Sequence, residues 1–228
     1  MAKVKVVVFD FDNCIALDET TGEGSEEIKD QAWFEVFTEY APEALAPVLK
    51  AAQLAIAAGK GDRKDIVRQI LGHFGWPEAQ IPDEVTRRCD RFNMIVQENI
   101  KRIRISPLVL DSFAELFGRL PLYLNTGTPR ENVIETLQTF GLTHFFKDVY
   151  GRPGTKVGNL QAIIAAEGIR PDEMLMVDDQ PSVYEITKKI GCQFVGIRTK
   201  RVRLWHEKSH PFPLISSLAE LPNIIATN

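Results

Sequence analysis

Short apolar runs that stop at polar residues recur along this chain, and they constrain its fold more than any other feature. The first run, residues 4–9, is nearly continuous and rich in valine, which is typical of a strand buried on both faces of a parallel sheet. Later runs alternate with helical patterns that are closed by glycine. These strands are predicted at residues 120–124, 174–177 and 194–197, and the helices at 130–140, 157–167 and 182–190. The alternation predicts a parallel sheet with crossover helices.

The segment from residue 15 to residue 105 has a different sequence pattern. Strand signals are absent there, and helical periodicity is found near residues 26–40, 42–58, 64–74 and 83–103. We therefore predict an α-helical cap domain at 15–105, inserted into a core formed by residues 1–14 and 106–228. The predicted fold class is α/β, with a Rossmann-like parallel sheet core and an inserted helical cap.

Composition restricts the partners and the compartment. The 27 basic and 31 acidic side chains leave a formal net charge of −4, which argues against general affinity for nucleic acid or for an anionic membrane. The sequence contains no membrane-spanning run and no signal-like region. Cys14, Cys89 and Cys192 have no Cys-x-x-Cys spacing, which fits reduced thiols. These features predict a cytoplasmic protein.

Polar residues that could carry chemistry follow three of the predicted strands. Ligands of parallel α/β sheets bind outside the carboxyl ends of the strands, where these side chains would gather. Asp10 and Asp12 are two positions apart, about 7 Å along a strand and on one face, so they could act on opposite sides of one reacting atom. The complete set is Asp10, Asp12, Thr126, Asp178 and Asp179, with Lys156 at the start of a helix.

Carboxylates crowded at one edge require a cation, because two like charges about 4 Å apart cost on the order of 4 kcal/mol at an effective dielectric near 20. A site of hard oxygen ligands without His or Cys favours Mg²⁺, which commonly binds carboxylates together with substrate phosphate. Lys156 and Thr126 could hold phosphate oxygens. The sequence therefore predicts a Mg²⁺ site and a small phosphorylated substrate.

The residues Phe9-Asp10-Phe11-Asp12-Asn13 resemble the Asp-x-Asp first motif of the haloacid dehalogenase (HAD) superfamily. Three further matches follow in order along the chain. They are Thr126 for the second motif, Lys156 for the phosphate-binding lysine, and Val177-Asp178-Asp179 for the acidic fourth motif. A lone Asp-x-Asp is a weak signal, but four motifs in order, each at the end of a strand or helix, are specific.

The resemblance implies a mechanism and a ligand set. Asp10 would attack phosphorus to form an aspartyl-phosphate, and Asp12 would protonate the leaving oxygen and then activate water. Mg²⁺ would be held by Asp10, the Asp12 carbonyl and Asp179, with Asp178 as a direct or water-mediated ligand. The insertion resembles a C1-type cap, and the chain resembles the phosphoglycolate-phosphatase-like branch.

Four residues beside the first two motifs are candidates for substrate binding: Phe11, Gly127, Thr128 and Arg130. Arg130 could instead simply occupy the first turn of its helix. Two positions depart from the family pattern. Cys14 stands where Thr is frequent, and we interpret it as a packing residue. Val183 stands where many members carry an acidic residue that supports the metal ligands.

The sequence favours a Mg²⁺-dependent phosphatase acting on a small phosphorylated metabolite. A phosphomutase of the same superfamily and a catalytically weak phosphate-binding protein remain alternatives. A dehalogenase is disfavoured because those relatives lack the carboxylate that Asp12 provides. The sequence does not decide the substrate, the oligomeric state or a role for the basic stretch 200–205.

Overall fold

The computed structural model describes residues 2–57, 61–202, 205 and 209–226. The chain forms two compact units. The core unit comprises Met1–Glu26 and Ile100–Asn228, and the helical unit comprises Glu27–Asn99. Compared with the predicted boundaries, residues 15–26 and 100–105 fold with the core. Part of the reason is a short hairpin after the first motif, which is tied to the loop that carries the motif: the Ser25 amide donates to the Ala16 carbonyl at 3.1 Å, and the Ala16 amide donates to the Phe11 carbonyl at 2.9 Å.

The core unit is built on a six-stranded parallel sheet of order β5-β4-β1-β6-β7-β8. A separate antiparallel hairpin is formed by β2 and β3. The strands are β1 (Val6–Phe9), β2 (Leu17–Asp18), β3 (Glu23–Gly24), β4 (Leu122–Pro129), β5 (Asp148–Arg152), β6 (Met174–Asp178), β7 (Gln193–Ile197) and β8 (Leu214–Ile215). The predicted α/β class, with its Rossmann-like sheet and helical insertion, is confirmed.

The helices of the insertion are α1 (Ser25–Val36), α2 (Pro42–Ala57), α3 (Arg63–His73) and α4 (Ile81–Ile100). Those of the core are α5 (Pro107–Phe117), α6 (Arg130–Thr139), α7 (Lys156–Glu167), α8 (Pro181–Ile190) and α9 (Leu221–Ala226). Helices α7 and α8 end where Gly168 and Gly191 adopt the left-handed conformation, at φ 61° and 93°, a conformation that carries a steric cost for residues with a Cβ. None of the described helices is long and apolar enough to cross a membrane.

The sequence reading missed β5, β8, the β2–β3 hairpin and helix α5. The two-residue strands are too short to show a period of two, and β5 carries charged residues at both ends. Strand β4 is also longer than predicted, because pairing with β5 resumes at Pro129 after an irregularity and carries the strand past the second motif. The strands among these elements are defined by the strands with which they pair.

Register places the ends of the central strands side by side. Phe9, the last residue of β1, pairs with Leu124 on one side and with Val177 on the other. The next residue, Asp10, donates its amide to the Val177 carbonyl at 2.9 Å. The residues after these three, including Asp178, are therefore brought to one edge of the sheet.

Trp205 packs against β7 and covers one side of the sheet core. The indole is 2% exposed and belongs to a cluster with Val6, Phe194 and other buried apolar side chains. It lies directly over Gly196, where an added Cβ would be 1.6 Å from Trp205 Cζ3. A glycine is therefore required at this position of β7.

We predict that Gly196→Ala lowers the free energy of unfolding by about 1–3 kcal/mol or more, since a buried indole must be displaced. Urea unfolding followed by circular dichroism measures this. Gly118→Ala is the matched control, because its added Cβ would meet nothing closer than 3.8 Å. Equal unfolding midpoints for the two variants would contradict the packing described here.

Candidate active site

Three buried carboxylates meet at the carboxyl edge of the sheet. Asp10 follows β1, Asp178 ends β6 and Asp179 comes next; they are 4%, 0% and 1% exposed. One oxygen from each lies within 4.8 Å of the others. The structure thus brings together three of the four aspartates predicted from the motifs, and does so through the parallel pairing of two adjacent strands.

Lys156 joins this cluster from the first turn of α7. Its Nζ lies 2.7 Å from Asp10 Oδ1 and 2.6 Å from Asp178 Oδ2. Helix α7 begins at this residue because the Thr155 side chain caps it, accepting a hydrogen bond from the Gly158 amide at 3.1 Å. A lysine that could have been a solvated surface residue is instead held between two buried carboxylates.

Burial and charge crowding shift the protonation of this cluster. Burial raises the pKa of Asp10 to about 8, with Asp178 and Asp12 adding to the rise and Lys156 opposing it. Burial, followed by repulsion from Asp178 and Asp10, raises the pKa of Asp179 to about 9. Burial acts to lower the pKa of Lys156, but the two carboxylates outweigh it and raise that pKa. One ammonium does not balance three carboxylates, so the ionised cluster calls for a further cation.

The hydrogen bonds of Asp178 and Asp179 distinguish the two residues. Asp178 Oδ2 accepts from Lys156, and its Oδ1 accepts from the Gln180 amide at 2.8 Å. Asp179 Oδ2 accepts from Gln180 Nε2 at 2.8 Å. Within the part of the chain that is described, Asp179 Oδ1 is buried and has no hydrogen-bond partner. Such an orphaned oxygen in an all-oxygen site fits a Mg²⁺ ligand.

Two buried amides hold the backbone at Lys156. Asn125, the residue before Thr126 in β4, donates from Nδ2 to the Lys156 carbonyl at 3.0 Å. Its Oδ1 accepts from Asn159 Nδ2 at 2.9 Å. The asparagine pair therefore connects the end of β4 to the first turn of α7 and keeps the lysine at the sheet edge.

Asp12 lies beside the cluster and is held separately. Its Oδ1 accepts from the Ser25 hydroxyl at 2.7 Å, and its Oδ2 accepts from the Thr128 hydroxyl at 2.6 Å. Thr126 is buried, and its Oγ1 accepts from the Thr128 amide at 3.1 Å. Thr126 and Thr128 thus form one turn at the end of β4.

The four candidate substrate-binding residues have different surroundings. The Phe11 ring is buried, so a contact with substrate would have to come from its backbone. Gly127 is exposed, with open space where a Cβ would point. Thr128 donates to Asp12. Arg130 donates to the Val149 carbonyl at 2.8 Å and to Asp148 at 3.0 Å, and the structure does not bring it into the carboxylate cluster.

Sequence reasoning missed four residues that organise this site: Ser25, Asn125, Asn159 and Gln180. Asn125 and Gln180 adjoin recognised motifs, so adjacency could have found them, but no sequence signal connects Ser25 with Asp12. Many family members carry an acidic residue at the position of Val183, but this valine is buried in the sheet core. Gln180 instead donates hydrogen bonds to both fourth-motif carboxylates. Burial raises the pKa of the Cys14 thiol, in keeping with a packing role.

Comparison with known proteins decides the family. The family model for haloacid dehalogenase-like hydrolases matches residues 4–186. The chain belongs to this family. The match confirms the predicted membership and the prediction of an enzyme. A search of curated proteins found no match.

Solved structures of this family share the fold across nearly the whole chain. YfnB of Bacillus subtilis, solved with magnesium bound, is 17% identical with a TM-score of 0.68, and the alignment covers 98% of this chain and 99% of that one. A candidate β-phosphoglucomutase of Thermotoga maritima is 14% identical with a TM-score of 0.70 and the same coverage. A predicted phosphoglycolate phosphatase of Haemophilus somnus is 20% identical with a TM-score of 0.69, again with that coverage.

We predict that Lys156→Met, measured in a chelating buffer, lowers the free energy of unfolding by about 3–5 kcal/mol at pH 8. Asp10 and Asp178 would lose their buried counterion. The loss should be smaller at pH 5.5, because carboxyls whose folded pKa is raised take up protons there. Lys189→Met, at an exposed position in the last turn of α8, is the control. A loss equal at both pH values would contradict the charge balance described here.

Proposed function

We propose that this protein is a Mg²⁺-dependent phosphatase that hydrolyses a small phosphorylated metabolite through an aspartyl-phosphate on Asp10. One observation carries the proposal. The buried carboxylate of Asp10 is paired with the Lys156 ammonium and lies within 4.8 Å of a second carboxylate, that of Asp179. The Oδ1 atom of Asp179 has no hydrogen-bond partner among the described residues. An anionic substrate and a cation complete such a charge set, whereas a purely structural ion pair would leave no acceptor unused.

Asp10 is the nucleophile in this mechanism. Lys156 binds its Oδ1, which orients the carboxylate and leaves Oδ2 to attack phosphorus. The bond from Asp10 to phosphorus forms as the bond from phosphorus to the leaving oxygen breaks. The Lys156 ammonium also stabilises negative charge on the phosphoryl oxygens during transfer.

The residues that would hold Mg²⁺ are Asp10, Asp179 and the backbone carbonyl of Asp12. Asp178 is occupied by Lys156 and Gln180, so it supports the site by fixing the ammonium. Bound Mg²⁺ would offset the excess negative charge of the cluster and polarise the phosphate. The Thr126 oxygen accepts from the Thr128 amide, and its own proton can be donated to a phosphate oxygen.

Asp12 is the acid and base. It would deliver a proton to the leaving oxygen in the first step. As a carboxylate it would then remove a proton from the water that attacks the aspartyl-phosphate. Its two hydroxyl donors, Ser25 and Thr128, set it apart from the Asp10 cluster.

We predict that the wild-type protein releases phosphate from a panel of phosphorylated metabolites only with Mg²⁺, and that Asp10→Asn abolishes release without changing the fold. Asp12→Asn should slow turnover at least about a hundredfold, since general acid–base catalysis contributes that much or more. Phosphate assays and mass spectrometry of the phosphoenzyme measure these outcomes. The control is Asp111→Asn, at an exposed position in α5.

Normal activity of Asp10→Asn would rule out the proposed nucleophile. Phosphoenzyme formation with transfer to a sugar phosphate, and no release to water, would instead establish the phosphomutase alternative. Tight binding of phosphorylated ligands without any turnover would indicate a binding protein.

We predict that Mg²⁺ stabilises the protein against thermal unfolding more at pH 8 than at pH 6. The folded pKa values of Asp10 and Asp179, about 8 and 9, lie above the ordinary value of 3.8. The metal-free folded state therefore binds more protons than the unfolded state over about pH 4–8, and its stability falls as the pH rises through that window. Mg²⁺ competes with these protons.

The increase in melting temperature on addition of Mg²⁺ is the measurement, and it requires no substrate. At 100 times the dissociation constant, the expected stabilisation is about 2.7 kcal/mol. Asp179→Asn should lose most of the increase, whereas Asp111→Asn should keep it. An Asp179→Asn protein that keeps the full increase would exclude Asp179 as a ligand.

A further inference from the structure

The Asp12 carboxylate is bound by one hydroxyl on each oxygen. The two hydroxyls come from different elements, Ser25 at the start of α1 and Thr128 near the end of β4, at 2.7 and 2.6 Å. We propose that Ser25 and Thr128 are positioning residues that hold Asp12 in the orientation for proton transfer to the leaving oxygen and from water. This inference rests on the proposed function of Asp12.

The direction of the Ser25 hydroxyl is fixed by its surroundings. Its oxygen accepts from the Asn13 amide at 3.2 Å, so its own proton is left for Asp12 Oδ1. The flanking backbone is tied to the same loop, because the Glu26 amide donates to Asn13 Oδ1 at 2.9 Å. Gly24 makes this approach possible, since a Cβ there would lie 2.3 Å from Asn13 Oδ1.

Thr128 approaches Asp12 from the second motif. Its amide donates to Thr126 Oγ1, which fixes the turn that carries the Thr128 side chain. Its hydroxyl then donates to Asp12 Oδ2. Asp12 is thereby connected to Thr126, the residue proposed to donate a hydrogen bond to phosphate. One turn therefore orients both the acid/base residue and this hydrogen-bond donor.

Two donors on one carboxylate restrict its rotation about χ2, a torsion that is otherwise broad. An ionised carboxylate has about four acceptor sites, so two hydroxyl donors can bind it at the same time, one on each oxygen. The arrangement therefore orients Asp12.

The test compares two substrates of nearly equal size, phenyl phosphate and p-nitrophenyl phosphate, with Mg²⁺ present. Phenolate is a poorer leaving group than p-nitrophenolate, so its departure depends more on protonation by Asp12. Thr128→Val and Ser25→Ala should each lower kcat/KM for phenyl phosphate about ten- to a hundredfold, the loss typical of a hydrogen bond to a charged group. The loss for p-nitrophenyl phosphate should be several-fold smaller.

Matched controls separate positioning from folding. Ser112→Ala removes a buried hydroxyl bonded to the Val109 carbonyl, and Thr139→Val removes an exposed hydroxyl bonded to the Glu135 carbonyl. Both should retain wild-type values. Thr128→Ser keeps the hydroxyl and should restore most of the phenyl phosphate activity, and melting temperatures monitor the fold of every variant.

Control-level kcat/KM for Thr128→Val and Ser25→Ala, with Asp12→Asn inactive, would overturn the positioning role and leave the phosphatase intact. An equal loss on both substrates that Thr128→Ser does not restore would also overturn it. A wild-type protein that releases no phosphate from the metabolite panel with Mg²⁺, or an active Asp10→Asn variant, would overturn the proposed function itself.

Discussion

The ammonium of Lys156 lies 2.7 Å from Asp10 and 2.6 Å from Asp178, at a sheet edge where both carboxylates are almost fully buried. Burying unpaired charges is costly, and removing one partner of a buried pair leaves the other uncompensated. The rest of the site is arranged around this requirement. Asp10 and Asp178 share one cation, whereas Asp179 is left with an unused oxygen. The same charge imbalance that makes the cluster costly makes it a candidate site for a cation and an anionic ligand.

Neutral polar groups keep these charges in place. Gln180 binds both fourth-motif carboxylates, and the Asn125–Asn159 pair holds the backbone at Lys156. Ser25 and Thr128 bind the two oxygens of Asp12. Asp12, Asp178 and Asp179 thus each accept hydrogen bonds from groups that add no charge, so these contacts do not worsen the electrostatic balance of the site. The geometry of the candidate site depends on residues that no charge pattern in the sequence reveals.

Much of the fold could be predicted because apolar runs and glycine stops are local signals. Strands β1, β6 and β7, and helices α6 to α8, lie close to their predicted positions. Strands β5 and β8 could not be predicted, since they are short and their sequence patterns are weak. The compact helical unit, Glu27–Asn99, begins twelve residues later than the predicted insertion for a related reason. The β2–β3 hairpin belongs to the core through hydrogen bonds to the loop after β1, which no periodicity records.

The sequence by itself determined which residues are proposed to carry chemistry. Asp10, Asp12, Thr126, Lys156, Asp178 and Asp179 stand at the ends of predicted elements in a family order, and strand polarity alone places such ends at one edge. Only the tertiary structure decided which of these groups contact one another. Lys156 is paired with Asp178 rather than Asp179, the Thr128 hydroxyl donates to Asp12, and Arg130 donates to the backbone of β5. These outcomes depend on donor–acceptor distances of 2.6–2.8 Å between residues up to 116 positions apart, and hydrogen bonding between such distant residues is set by packing.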